Sequence, residues 1–156
     1  VPRGQSWRVG ANSSRSLRQQ ERRSEMIDGL VTLQSRHSAK ETADRLAATV
    51  VSRGMMVLAR IDHAAAAAKV GLDLRPTEVI FFGNPAAGTL LMQNVQTIGL
   101  DLPLKALVWQ DQSDGVWISY LDVKWLSQRY ALTTDAAATV EKIASLLKAV
   151  IEEVAQ

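Results

Sequence analysis

The chain carries few side chains capable of chemistry. It has two histidines and no cysteine, so disulfides, thiolate zinc sites and cysteine nucleophiles are excluded, and two histidines far apart in sequence do not make a zinc site. His63 is the foremost candidate, because an imidazole titrates near neutral pH and serves as base, acid or ligand. It follows Asp62 at the head of an alanine-rich segment. The plainer reading is that Asp62 caps a helix while His63 hydrogen-bonds locally. His37, beside Ser38, reads as a surface residue.

Three further positions stand out. Asn84-Pro85 follows a strand-like run ending in Gly83, so a helix starting there would aim backbone donors and its positive end at one spot, where an anion can bind. The alternative is that Asn84 is only a cap and Pro85 only the first helical residue, which needs no ligand. Lys105 interrupts an apolar strand pattern and must reach solvent, pair with a carboxylate or line a pocket. Tyr120, on the next strand, offers a hydroxyl for a pocket or for a core hydrogen bond. The tryptophans Trp109, Trp117 and Trp125, with Met92, read as packing or dimer contacts. The glycine-rich, nucleophile-elbow and H-E-x-x-H motifs of nucleotide, hydrolase and zinc-protease sites are absent. No metal or cofactor is expected.

Those residues must be held by something. The chain is 156 residues long and 47% apolar, enough for one domain with a real core. Its net charge of +2 is unevenly placed. Residues 1–25 hold six arginines against two glutamates, a charge of +4, which leaves −2 for the remainder. A slightly acidic body lacks the footprint of a nucleic-acid binder. The opening Val1-Pro2-Arg3-Gly4 resembles the residue of a cleavable tag, and 1–25 reads as a vector-derived or disordered leader ahead of a single domain over 26–156, with a targeting arm as the competing reading. No apolar run reaches the roughly 18–20 residues of a membrane helix, and a cytoplasmic location is expected.

Along the body, Ile27 to Gln34 reads as a strand. Ser38 with Glu41 forms a capping box for a helix ending near Arg53, before Gly54. Met55 to Ile61 suits a buried strand, Ala64 to Val70 a small-residue helix, Val79 to Phe82 a third strand and Ala86 to Asn94 another helix. Leu104 to Gln110 and Val116 to Leu121 form a hairpin across Asp111-Gln112-Ser113-Asp114-Gly115, with Trp109 and Trp117 on one face. A long amphipathic helix starts at Thr134-Asp135. The order β-α-β-α-β-α-β-β-α predicts an α/β domain of two layers, with a mixed sheet of about five strands.

Several of these segments also carry a resemblance. Asp62-His63 with the alanines after it, Gly71-Leu72-Asp73-Leu74-Arg75-Pro76, Phe82-Gly83-Asn84-Pro85, Ile98-Gly99-Leu100-Asp101-Leu102-Pro103-Leu104-Lys105 and Trp117-Ile118-Ser119-Tyr120 are similar, in this order, to the bacterial family called domain of unknown function 302. The likeness spans roughly Leu30 to Tyr130. It implies a small α/β fold that assembles as a homodimer, and no established reaction.

Three functions follow as expectations. The first is a dimeric module binding a small anionic ligand through Asp62, His63, Asn84 and Lys105. The second is an enzyme with His63 as general base, assisted by Tyr120 or Lys105, which requires those groups to converge on one cleft. The third is a structural or interaction domain without a small ligand.

Overall fold

A computed structural model describes residues 27–156. The expected leader over 1–25 and the domain start at Met26 lie outside the described residues. Five strands form the sheet: β1 (Leu30–Ser35), β2 (Met56–Asp62), β3 (Thr77–Gly83), β4 (Leu104–Gln110) and β5 (Val116–Leu121). Their order across it is β1-β5-β4-β3-β2. The helices are α1 (Ala39–Ser52), α2 (His63–Lys69), α3 (Pro85–Asn94), α4 (Val123–Arg129) and α5 (Ala137–Ala155), with single 3₁₀ turns at Gln96–Leu100 and Thr134–Ala136.

The five strands and the α/β class are as expected, but every neighbouring pair is antiparallel, where a mixed sheet was expected. The reason lies in the one long crossover. β1, α1 and β2 join strands that run the same way, yet these strands occupy opposite edges of the sheet, so no parallel neighbours arise. The remaining links return the chain to the adjacent position, which two antiparallel strands permit with short connections.

Side chains alternate across a strand. Ile80 and Phe82 of β3, Ala106 and Val108 of β4, and Ile118 and Tyr120 of β5 fall on one face and are buried. Against them pack Ala43, Leu46 and Val50 of α1 and Val140, Leu147, Val150 and Ile151 of α5. The apolar stripes of both helices thus share one core. Ser35 and Thr42 tie β1 to α1 by a buried hydroxyl pair at 2.7 Å. The capping box forms as expected, with Ser38 Oγ accepting the Glu41 amide at 3.2 Å.

Two elements depart from the sequence expectation. β2, read as a buried strand, is an edge strand with most residues exposed, because among the described residues β3 alone flanks it, with a register shift between Val57 and Ala59. Arg60 links it to its neighbours, meeting Asp44 of α1 at 3.0 Å and Glu78 of β3 at 2.5 Å. Lys40 first and then Arg60 hold the Asp44 carboxyl below its usual pKa. Helix α4 was not anticipated. Its signal is Asp122, whose Oδ1 accepts the Lys124 amide at 2.9 Å; seven residues are too few for a clear helical period.

Gly29 is where α4 meets β1. Its φ is +76°, and a Cβ placed on it would lie 2.2 Å from Trp125 Cδ2. The left-handed conformation alone costs an L-residue roughly 1–2 kcal/mol, and the indole would also have to move. Gly29→Ala is therefore expected to destabilise by at least about 2 kcal/mol. Urea unfolding followed by tryptophan fluorescence checks this, and an unchanged midpoint would show that Trp125 has room to yield.

Candidate functional site: a cleft beside the third helix

Helix α3 leaves the sheet directly from β3. Gly83 is buried and Asn84 is extended. Asn84 Oδ1 accepts the amides of Ala86 at 2.9 Å and Ala87 at 3.4 Å, and its carbonyl accepts that of Gly88 at 3.0 Å. Pro85 has no N–H to offer. The amides of the first turn are therefore occupied, and what remains for a ligand is the positive helix end and the Asn84 Nδ2 donors.

The far end of α3 is fixed too. Asn94 Nδ2 donates to Thr133 Oγ1 at 2.6 Å, while Asn94 Oδ1 accepts the Thr133 amide at 2.9 Å. This reciprocal pair fastens α3 to the turn that starts α5. Between α3, α5, the start of β4 and the Arg53–Met55 corner lies a cleft of about 650 Å³. Leu91 and Leu147 sit buried at its base, and Arg53, Asn84 and Lys142 are the longer polar side chains of its wall. Arg53 is ion-paired with Glu153.

Of the candidate site residues Asp62, His63, Asn84, Lys105 and Tyr120, Asn84 alone lines this cleft. Asp62 pairs in register with Glu78, whereas Gly83 pairs with Met56, so six residues of β3 separate Asp62 from Asn84, about 20 Å at strand rise. Asp62 Oδ1 caps α2 through the Ala65 amide at 2.8 Å, and His63 is the exposed first residue of that helix. Lys105 pairs in register with Phe81, and its ammonium lies 5.8 Å over that ring, a cation–π contact. Tyr120 pairs with Ala106 and so points to the opposite face, where it is 8% exposed. Burial, with Asp122 and Glu152 adding, raises its hydroxyl pKa and keeps it protonated.

The expected convergence of Asp62, His63, Asn84 and Lys105 is thus not found, because they occupy opposite ends and opposite faces of the sheet. The general-base arrangement of His63 with Tyr120 or Lys105 fails for the same reason. His37 needs correction as well. It is half-buried, with Nδ1 3.1 Å from Glu41 Oε1, while Nε2 is closed off without a partner.

The tryptophans serve packing. Trp109 and Trp117 stack with centroids 6.1 Å apart, sharing a face as expected. Trp117 Nε1 donates to Asp111 Oδ2 at 2.8 Å and Trp109 Nε1 to Ser119 Oγ at 2.9 Å. Asp111 also accepts the Ser113 and Gly115 amides at 2.8 and 2.9 Å, which makes its buried carboxylate the organiser of the hairpin loop. Among the described residues no group of three or more His, Cys, Asp or Glu could hold a metal ion, and no helix is long and apolar enough to cross a membrane.

The sequence reading missed Arg53, Asn94 and Lys142. Asn94 and Thr133 lie 39 residues apart, a pairing that no local pattern announces. Lys142 sits in a helix whose polar positions look alike in sequence. Asn84→Ala is expected to cost about 1 kcal/mol through loss of the cap, and Asn84→Ser to restore most of it. Chemical denaturation of the two variants checks this; equal losses would mean that the cap does not hold α3.

The fold and its parts resemble known proteins. The family model described as domain of unknown function DUF302 matches residues 31–150. Two curated relatives, both called fluoride-specific ion channel FluC 1 and from Brucella suis and Brucella abortus, are each 56% identical over 104 residues, covering 67% of this chain and 41% and 38% of theirs. The chain thus spans about two fifths of the length of these relatives. A crystal structure of an uncharacterized conserved DUF302 protein from Bacillus stearothermophilus superposes with a TM-score of 0.73 at 19% identity, over 83% of this chain and 100% of that one. That likeness concerns the fold, while the family model covers most of the sequence: the chain belongs to the DUF302 family.

Proposed function

We propose that this domain is a binding module holding a small, mainly apolar molecule in the cleft between α3 and α5, and that it acts as a homodimer in a bacterial cytoplasm. The cleft carries the reading. Its volume of about 650 Å³ falls within the roughly 300–1,000 Å³ of ligand sites, which are apolar with a few placed polar groups. Asn84 and Asn94 fix both ends of α3, so this wall need not be ordered on binding, which lowers the cost of association. The dispersal of His63, Lys105 and Tyr120 supports a binding role over catalysis.

Gly88 of α3 lines the cleft, and a Cβ there would touch only Leu102 Cδ1, at 4.0 Å. Gly88→Leu should therefore fold, gain helix propensity and fill the cleft. In thermal-shift titrations with n-decanol, the parent chain is expected to be stabilised saturably and Gly88→Leu to lose the response. No saturable shift in the parent, or an equal shift in both, would overturn the assignment.

Self-association is supported by β2, an edge strand without a second neighbour among the described residues, on which Met56, Leu58 and Ile61 are 52%, 51% and 43% exposed. Large apolar side chains on an unpaired edge favour pairing with another chain. Sedimentation is expected to give a dimer that Ile61→Lys returns to monomer; a monomeric parent chain would refute this.

A second reading rests on the relatives. An ion channel crosses a membrane, and none of the described helices is long and apolar enough to do so. The segment shared with the Brucella proteins would then be a water-facing part joined to a channel body. Removing that segment from one of those proteins is expected to alter fluoride efflux from liposomes, and identical efflux with and without it would end this reading.

A further inference from the structure

We infer that the occupant of the cleft is an amphipathic monoanion, a carboxylate with an apolar tail, whose charged end rests on the Lys142 ammonium. The inference depends on the ligand-binding reading above and adds the chemical class. Its first support is the charge of the wall. Arg53 and Lys142 line the cleft, and no aspartate or glutamate does. A hollow with an apolar base and a purely cationic rim matches a molecule with a greasy body and one negative end.

The second support is how the charges of α5 are disposed. Glu141 pairs with Lys124, Lys148 with Glu152, and Glu153 with Arg53. Lys142 alone among the charged residues of this helix has no ion-pair partner among the described residues, and it is the one that lines the cleft. Arg53, the other cation of the wall, is already neutralised. Lys142 is therefore the charge left for a ligand.

The third support limits the ligand's charge. Asn84 Oδ1 is committed to two amides of α3, its Nδ2 has no hydrogen-bond partner among the described residues, and the backbone donors of that first turn are occupied. One ammonium and one amide group suit a carboxylate. A phosphate dianion seeks several donors, and this rim has too few. The tail would follow Ile143 and Leu146 towards Leu91 and Leu147 at the base.

The test compares decanoate, n-decanol and inorganic phosphate, each below any micelle-forming concentration, on the full chain and on Lys142→Gln. Lys142 is exposed, so its substitution should leave folding intact. Decanoate is expected to bind about three- to tenfold more tightly than decanol, the ratio a partly exposed ion pair supplies. Lys142→Gln should erase that advantage and leave decanol unchanged, and phosphate should not bind. Equal affinity for decanoate and decanol would overturn the monoanion while sparing the cleft as a binding site. Phosphate binding would overturn the amphipathic class, and failure of both decyl probes would overturn both readings.

Discussion

The alternation of side chains along the three central strands governs what can meet in this protein. With Ala106 opposite Tyr120 and Phe81 opposite Lys105, a shift of one residue would exchange the buried and the open face of the whole sheet. The register that sends Ile80, Phe82, Val108 and Ile118 into the core also sends Tyr120 there and Lys105 away from it. Two polar groups on neighbouring strands are thereby kept from acting on one substrate. The helices follow from the same constraint, because the covered face is where α1 and α5 can bury their apolar stripes.

What the sequence made legible is what depends on short-range pattern. The hairpin strands Leu104–Gln110 and Val116–Leu121 came out with their observed bounds, because two-residue alternation and the turn chemistry of residues 111–115 are both local. Caps at Ser38, Asp62 and Asn84 were readable for the same reason. The exposure of β2 was not, since an apolar run looks the same at an edge as at the centre of a sheet, and edge position is decided by the β1-to-β2 crossover. The candidate site suffered most. Asp62, Asn84 and Lys105 each had a sound local reason to be noticed, but whether they converge depends on which end of β3 each one reaches.

The cleft is instead built from parts with little individual signal. Arg53 follows the end of α1, Leu102 to Leu104 begin β4, and Lys142 to Leu147 lie in the middle of α5. They become a site because α3 is stapled at both ends by asparagine side chains, one to its own first turn and one to Thr133. Membership of the DUF302 family tells which fold the chain adopts, and the cleft tells where in that fold a small molecule has room. Lys142 then distinguishes one class of occupant from another.

The pairing of β1 with β5 has a consequence for how the molecule comes into being. Leu30 lies against Leu121 and Ser35 against Val116, so the first strand finds its neighbour among the described strands roughly eighty to ninety residues later in the chain. During synthesis β1 must wait, unpaired, until β5 has emerged. The three strands in the middle of the sheet close over shorter loops and can form beforehand. An order of assembly in which this platform precedes its outermost ribbon would leave one edge of it open, and an open strand edge is where a partly folded chain is exposed to misassembly.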